Sequence, residues 1–128
     1  MAQSRDFTGF GRFEAESASS AQLIVRLYDA LLHDLRDARA SVRRGDRERL
    51  DGLLAHGQAV VVELLTTLDS ELDAGLSQQL SERHEHLHAC LARARATGDA
   101  TLVDEVAALV QPLRDSWAHA VELVAASS

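Results

Sequence analysis

The apolar residues of this chain recur every three or four positions along four successive stretches, and nowhere do they alternate with period two over the length of a strand. Such spacing gathers side chains on one face of an α-helix, so the chain is committed to helices packed on helices. The first stretch spans about 19–43, with Leu23, Leu27, Leu31, Leu35, Ala38 and Val42 in register and Gly45 beyond it as a C-terminal stop. The second opens at Asp46, a natural N-cap, and carries Leu50, Leu53, Leu54, Val60, Val61, Leu64, Leu65 and Leu68. Residues 69–75 break the pattern. The third stretch, about 76–97, carries Leu76, Leu80, Leu87, Leu91 and Ala94 and stops at Gly98. The fourth opens with Thr101-Leu-Val-Asp104, a capping-box pattern, and carries Leu102, Val106, Leu109, Leu113, Trp117 and Val121. A single Pro among 128 residues leaves intrinsic propensity on the side of helix almost everywhere after residue 19. The expected fold is all-α: an antiparallel up-and-down four-helix bundle over 19–126, preceded by a flexible N-terminal arm over 1–18.

Several function classes fall away at this point. A chain of 128 residues holds one domain and can bury a core without disulfides. The lone Cys90 cannot form an internal disulfide, which fits a reducing compartment. No apolar run approaches the roughly 18 residues of a membrane span, and MAQSRDFTGF has no apolar signal-peptide core. A soluble, cytoplasmic protein is the expectation. The net charge of −7 is unevenly spread: residues 1–45 hold seven Arg against six acids, and residues 46–128 hold six Arg against fourteen acids. No basic stripe remains for a phosphate backbone, so nucleic acid is excluded as a partner.

One helix has more apolar surface than a bundle needs. At 100° per residue the second and fourth helices show apolar arcs of roughly 120–160°, suited to two neighbours. In the first half of helix one, Leu23, Ile24, Val25, Leu27, Tyr28, Ala30, Leu31 and Leu32 sweep roughly 220°, leaving Arg26, Asp29 and His33 as the polar edge. The surplus calls for cover by the N-terminal arm, a second copy of the chain, or a foreign apolar segment. The arm holds every Phe of the protein: Phe7, Phe10 and Phe13.

Some residues hint at chemistry. His84-Glu85-His86-Leu87-His88 satisfies H-E-x-x-H, the helical motif in which two His bind zinc and the Glu serves as general base; Glu105 or Glu122 would be the third ligand. With no strand edge to align a peptide and little room for a cleft, a solvated helix flank is the preferred reading, and no catalytic residue, metal or cofactor is assigned. Arg83 falls between Leu80 and Leu87 and is expected in a structural ion pair. Cys90 is expected to be a small buried side chain. Pro112 predicts a bend or break near 108–112, Trp117 belongs to the core, and Gly57 marks a close helix crossing.

The ordered set of motifs resembles the flagellar secretion chaperone family (FliS). Leu23-Ile-Val-Arg-Leu27-Tyr28-Asp29-Ala30 resembles its L-I-x-M-L-Y-D-G, and Ser17-Ala18-Ser19-Ser20 stands where T-A-S-P is usual. Gln58, Val60-Val61-Val62-Glu63-Leu64 and Leu68-Asp69-Ser70-Glu71 resemble A-Q-x-I-I-x-E-L…S-L-D-x-E. Asp99, Asp104-Glu105-Val106, Leu109-Val110 and Leu113-Arg114-Asp115-Ser116-Trp117 resemble D…x-E-V…L-L…L-R-E-A-W, and Phe7-Thr8-Gly9-Phe10 sits where paired Tyr are common. The chain departs at Ala30 (usually Gly), Ser20 (usually Pro), His56-Gly57 (commonly Lys-Ala) and Arg83-His84-Glu85-His86-Leu87, where the family carries L-Y-D-Y-M.

The resemblance implies a cytoplasmic export chaperone that binds the disordered C-terminal region of flagellin, prevents its premature polymerisation and aids delivery to the flagellar type III export apparatus. In the family that client segment wraps around the bundle and gains helix as it binds, a case of coupled folding and binding. Combined with the wide apolar arc, this makes Leu23, Ile24, Leu27, Tyr28, Leu31 and Leu32 the expected flagellin-binding residues, joined by Val103, Val106 and Val110 of the fourth helix. Phe7 and Phe10 of the arm are expected to cover the groove until the client arrives. Contact with the export gate and a client-free homodimer are further expectations. The alternatives are a helical-bundle interaction module or homodimer with a different client and, remotely, a zinc-dependent hydrolase through His84-Glu85-x-x-His88.

Overall fold

The computed structural model describes residues 13–126. Four helices follow one another: α1 (Phe13–Arg44), α2 (Arg47–Glu71), α3 (Ala74–Thr97) and α4 (Ala100–Ala126). Among the described residues there is no strand. α1 packs on α2 and α4, and α3 packs on the same two, so the helices form a square with α1 and α3 on one diagonal. The α3–α4 seam is the most thinly packed of the four sides. Connections of two residues force each helix to run antiparallel to the one before it. The all-α four-helix bundle foreseen from the periodicity is the observed fold.

The helix ends show why the chain turns where it does. Gly45 and Gly98 carry φ of 70° and 73°, the left-handed region that only a residue without Cβ enters at low cost. Asp46 caps α2 by accepting the Arg49 N–H, and Asp73 caps α3 by accepting the Leu76 N–H. At α4 the cap is Asp99, whose carboxylate accepts the Thr101 N–H at 2.9 Å. Thr101 itself lies inside the helix, so the capping-box reading placed that start two residues late. The break foreseen over 69–75 shrinks to Leu72-Asp73, because α2 continues to Glu71. α1 begins at Phe13, ahead of the first apolar repeat; Glu14-Ala15-Glu16 sustain helix by propensity, with no apolar face to reveal it. Pro112 does not break α4, which is continuous past it. Pro112 and Ala108 are both exposed, so the Ala108 carbonyl deprived of its helical donor can turn to solvent.

The core runs the length of the bundle from Ile24, Tyr28 and Leu31 through Leu54, Val61 and Leu64 to Leu87, Leu91, Val103, Val106 and Val110. Leu27, Leu113 and Trp117 pack against it, partly buried. Gly57 of α2 is buried where three helices meet: a Cβ there would stand 3.3 Å from Leu31 Cδ1 and 3.7 Å from Leu91 Cδ1. It is the close crossing expected from sequence.

Candidate functional site

The histidine-rich stretch of α3 is not the hydrolase motif it spells. His84 is fully buried, not on a solvated flank, and occupies the stripe position between Leu80 and Leu87 that the sequence reading assigned to Arg83. Arg83 points to solvent, and no ion pair holds it among the described residues. The His84 Nδ1–H donates to the Leu80 carbonyl at 2.7 Å. A carbonyl can only accept, so in the neutral ring Nε2 is the acceptor, and the Tyr28 hydroxyl donates to it at 2.9 Å. Burial holds the His84 pKa below its usual value, because an imidazolium there would lose its water; the Arg83 charge adds to the effect. Burial also pushes the Tyr28 phenol far up. Both rings are therefore neutral and satisfied, and neither nitrogen of His84 has a lone pair to offer zinc.

The expected binding face on α1 and α4 is also redistributed. Ile24, Tyr28, Leu31, Val103, Val106 and Val110 are buried in the core, where α2, α3 and each other's helices cover them. They present no surface in the unbound chain. Leu23 is 43% exposed, and Leu27 and Leu32 are half-buried, so these three are the members of the set at the surface. The apolar arc is wide because α1 sits at a corner with Leu31 and Tyr28 facing inward and Leu27 and Leu32 on its flanks. Phe7 and Phe10 lie outside the described residues. Along the α1–α4 seam the surface is polar: Arg114 pairs with Asp29 at 2.7 Å and Arg39 with Asp104 at 3.4 Å, and Arg36 and Arg43 line the same groove.

An apolar groove lies on the opposite face of α4. Leu87 of α3 and Leu109, Pro112 and Leu113 of α4 floor a trough of about 660 Å³ along the thin α3–α4 seam, with Gln79, Glu82, Arg83 and His86 on its α3 side. Leu109 is 43% exposed there. The sequence held a signal for this site that apolar counting passed over. Between Leu80 and Leu87 helix α3 offers no apolar side chain, so its side toward α4 is starved of packing. At the upper end of the groove, His86 and Cys90 of α3 converge with Glu105 of α4, the one group of potential metal ligands among the described residues. On the other side of α3, at the α2–α3 seam, Arg95 ties α3 to α2 through Asp51 at 2.8 Å, a hydrogen bond that holds the Asp51 carboxyl below its ordinary pKa.

No described helix is long and apolar enough to cross a membrane. Compared with known proteins, residues 12–124 match the model of the family described as flagellar protein FliS. The flagellar secretion chaperone FliS of Bacillus subtilis is 25% identical over 95% of this chain and 90% of its own length. The chaperones of the same name from Salmonella typhimurium and Escherichia coli are 30% and 31% identical, each over 79% of this chain and 76% and 75% of their own lengths. These matches run through all four helices and agree with a fold that has no catalytic constellation at its H-E-x-x-H. The chain belongs to the FliS family of flagellar secretion chaperones, proteins that chaperone rather than catalyse.

Proposed function

We propose that this chain is a cytoplasmic export chaperone that binds the disordered C-terminal region of flagellin, keeps the subunit from polymerising early and helps deliver it to the flagellar type III export apparatus. The observation that carries this reading is the open apolar trough on the α3–α4 seam, in a chain whose relatives are named flagellar secretion chaperones. A disordered segment that folds as it binds needs a long, shallow apolar track, because its own ordering costs about 2–5 kcal/mol over an interface of about 1,000–3,000 Å². Leu87, Leu109, Pro112 and Leu113 supply the floor for one amphipathic turn after another. Glu82 and Arg83 at the rim offer partners of either sign, and the Ala108 carbonyl freed by Pro112 offers an acceptor. Leu23, Leu27 and Leu32 offer a second apolar patch on α1, separate from the trough, with Ile24, Tyr28, Leu31, Val103, Val106 and Val110 as the packed layer beneath. In the client-free chain Phe7 and Phe10 act as placeholders: the twelve residues before α1, extended, reach about 40 Å, enough to lie along a bundle groove.

Co-expression with flagellin tests the reading. A 1:1 complex should form with the full-length client, disappear when the client's C-terminal segment is removed, and weaken at least tenfold with Leu109→Asp, whose exposed position leaves the fold intact. Deleting residues 1–12 should tighten client binding and promote self-association. A complex indifferent to client truncation would overturn the proposal; an oligomer broken by Leu109→Asp in the absence of client would instead assign the trough to a second copy of this chain.

A further inference from the structure

His86 and Cys90 stand one helical turn apart on α3, and Glu105 faces them from α4. Cys90 Sγ lies 3.5 Å from His86 Nε2, and His86 Nε2 lies 3.9 Å from a Glu105 carboxylate oxygen. All three donor atoms fall within 4.8 Å of one another. In tetrahedral zinc, Zn–S of about 2.3 Å and Zn–N of about 2.0–2.1 Å set sulfur and nitrogen about 3.5 Å apart, and nitrogen and oxygen about 3.3 Å apart. The sulfur–nitrogen edge is thus already at the length an ion requires. The carboxylate has to close by about half an ångström on His86 and by up to roughly 1.3 Å on Cys90, a rotamer-scale movement for a side chain 48% exposed and with no competing ion pair among the described residues. Cys90 forms the buried floor, at 1% exposure, while His86 at 57% leaves the approach from solvent open.

From this geometry we propose that His86, Cys90 and Glu105 bind a zinc(II) ion, with a water in the fourth position, as a clip across the α3–α4 seam. On binding, the Cys90 thiol gives its proton to solvent, sulfur, imidazole and carboxylate bond to the metal, and the aqua ion loses all of its waters but the one in the fourth position. Thiolate and carboxylate then neutralise the dication, so no net charge is left at the edge of the core. A thiolate–imidazole–carboxylate set suits borderline-soft ions and discriminates against magnesium and calcium. The clip closes the most thinly packed side of the bundle, directly above the Leu109 trough.

The test uses the full chain without a histidine tag, titrated with cobalt(II) as a spectroscopic stand-in and then with zinc(II). One equivalent of cobalt should give a thiolate-to-cobalt charge-transfer band that zinc abolishes. Glu105→Gln, at an exposed position that keeps the fold, should weaken zinc binding by more than the roughly tenfold expected from loss of an outer-shell partner. Cys90→Ser should abolish the band, and His88→Ala should change nothing. Zinc should raise the unfolding temperature of the wild type and leave that of Glu105→Gln nearly unmoved. Absence of the band in the wild type, or equal zinc affinity in wild type and Glu105→Gln, would overturn the proposal.

Discussion

The hydrogen bond between Tyr28 and His84 can be weighed by a double-mutant cycle. Tyr28→Phe keeps the ring and deletes only the hydroxyl, which leaves His84 Nε2 as an acceptor with no donor in a fully buried site. An unsatisfied buried polar group costs about 1–3 kcal/mol. His84→Leu produces the converse orphan, a buried phenol with no acceptor, at a similar cost. Combined, the two substitutions leave two apolar side chains of roughly the original shapes, an exchange that can be nearly neutral. The double variant should therefore be more stable than the sum of the singles allows, by a coupling of about 1–2 kcal/mol, within the range found for contacting residues. Urea unfolding followed by circular dichroism reads this as midpoint shifts of about 1 M for the single variants. Acid supplies a second readout. Because the folded chain holds His84 below the ordinary imidazole value of about 6.5, the unfolded chain binds the extra proton first as pH falls through that value. The stability contributed by the neutral ring is complete above pH 6.5 and is lost below it, with a slope of up to about 1.4 kcal/mol per pH unit from this residue. His84→Leu should flatten that limb. Single-mutant costs that add within about 0.5 kcal/mol, with an acid limb unchanged in His84→Leu, would refute the buried neutral pair.

Two further substitutions test the packing and the backbone. Gly52→Ala, exposed in α2 with open space around its Cβ, should stabilise by about 0.5–1 kcal/mol, whereas Gly57→Val should destabilise by about 1–3 kcal/mol against Leu31 and Leu91; thermal melts compare them directly. Pro112→Ala restores the N–H that the Ala108 carbonyl lacks, and should raise stability by about 1–3 kcal/mol in urea without altering the helical signal per residue, since α4 is already continuous there.

Fold class was legible because it rests on one repeated quantity, the spacing of Leu and Val along each helix, and the glycines and aspartates at the turns act locally. Asp46, Gly45 and Gly98 each need only their own backbone neighbours, so their roles follow from residue type. The site was less legible because exposure is decided by the other three helices. An arc of 220° on α1 cannot say which part of it the neighbours cover, and Ile24, Tyr28 and Leu31 proved to be the covered part. The same reasoning misplaced Arg83 and His84. They are adjacent, one residue apart is 100° on a helix, and an imidazole that can stay neutral, with the Leu80 carbonyl and the Tyr28 hydroxyl to satisfy both its nitrogens, is cheaper to bury than a guanidinium.

That hydroxyl also explains how a bundle with a poorly apolar third helix keeps its register. The other inter-helix polar links among the described residues join neighbours around the square, as Asp34 with His56 does between α1 and α2, Arg95 with Asp51 between α2 and α3, Arg114 with Asp29 between α1 and α4, and His86 with Glu105 between α3 and α4. Tyr28 and His84 alone reach across the α1–α3 diagonal through the core. A slip of α3 by one turn would bring Leu80 or the half-buried His88 opposite Tyr28. Leu80 would orphan the phenol, and His88 would drag Glu85 and Arg83 into new positions along the thin seam. Apolar contacts along α3 are too few to forbid such a slip, since Leu can replace Leu at a cost of little more than repacking. A polar pair makes the wrong register cost about 1–3 kcal/mol for each partner left unmatched, which is the attested use of a buried polar residue in helical assemblies. With α3 held by its diagonal bond and by Arg95, its side toward α4 is released from packing duty, and the trough at Leu109 stays open.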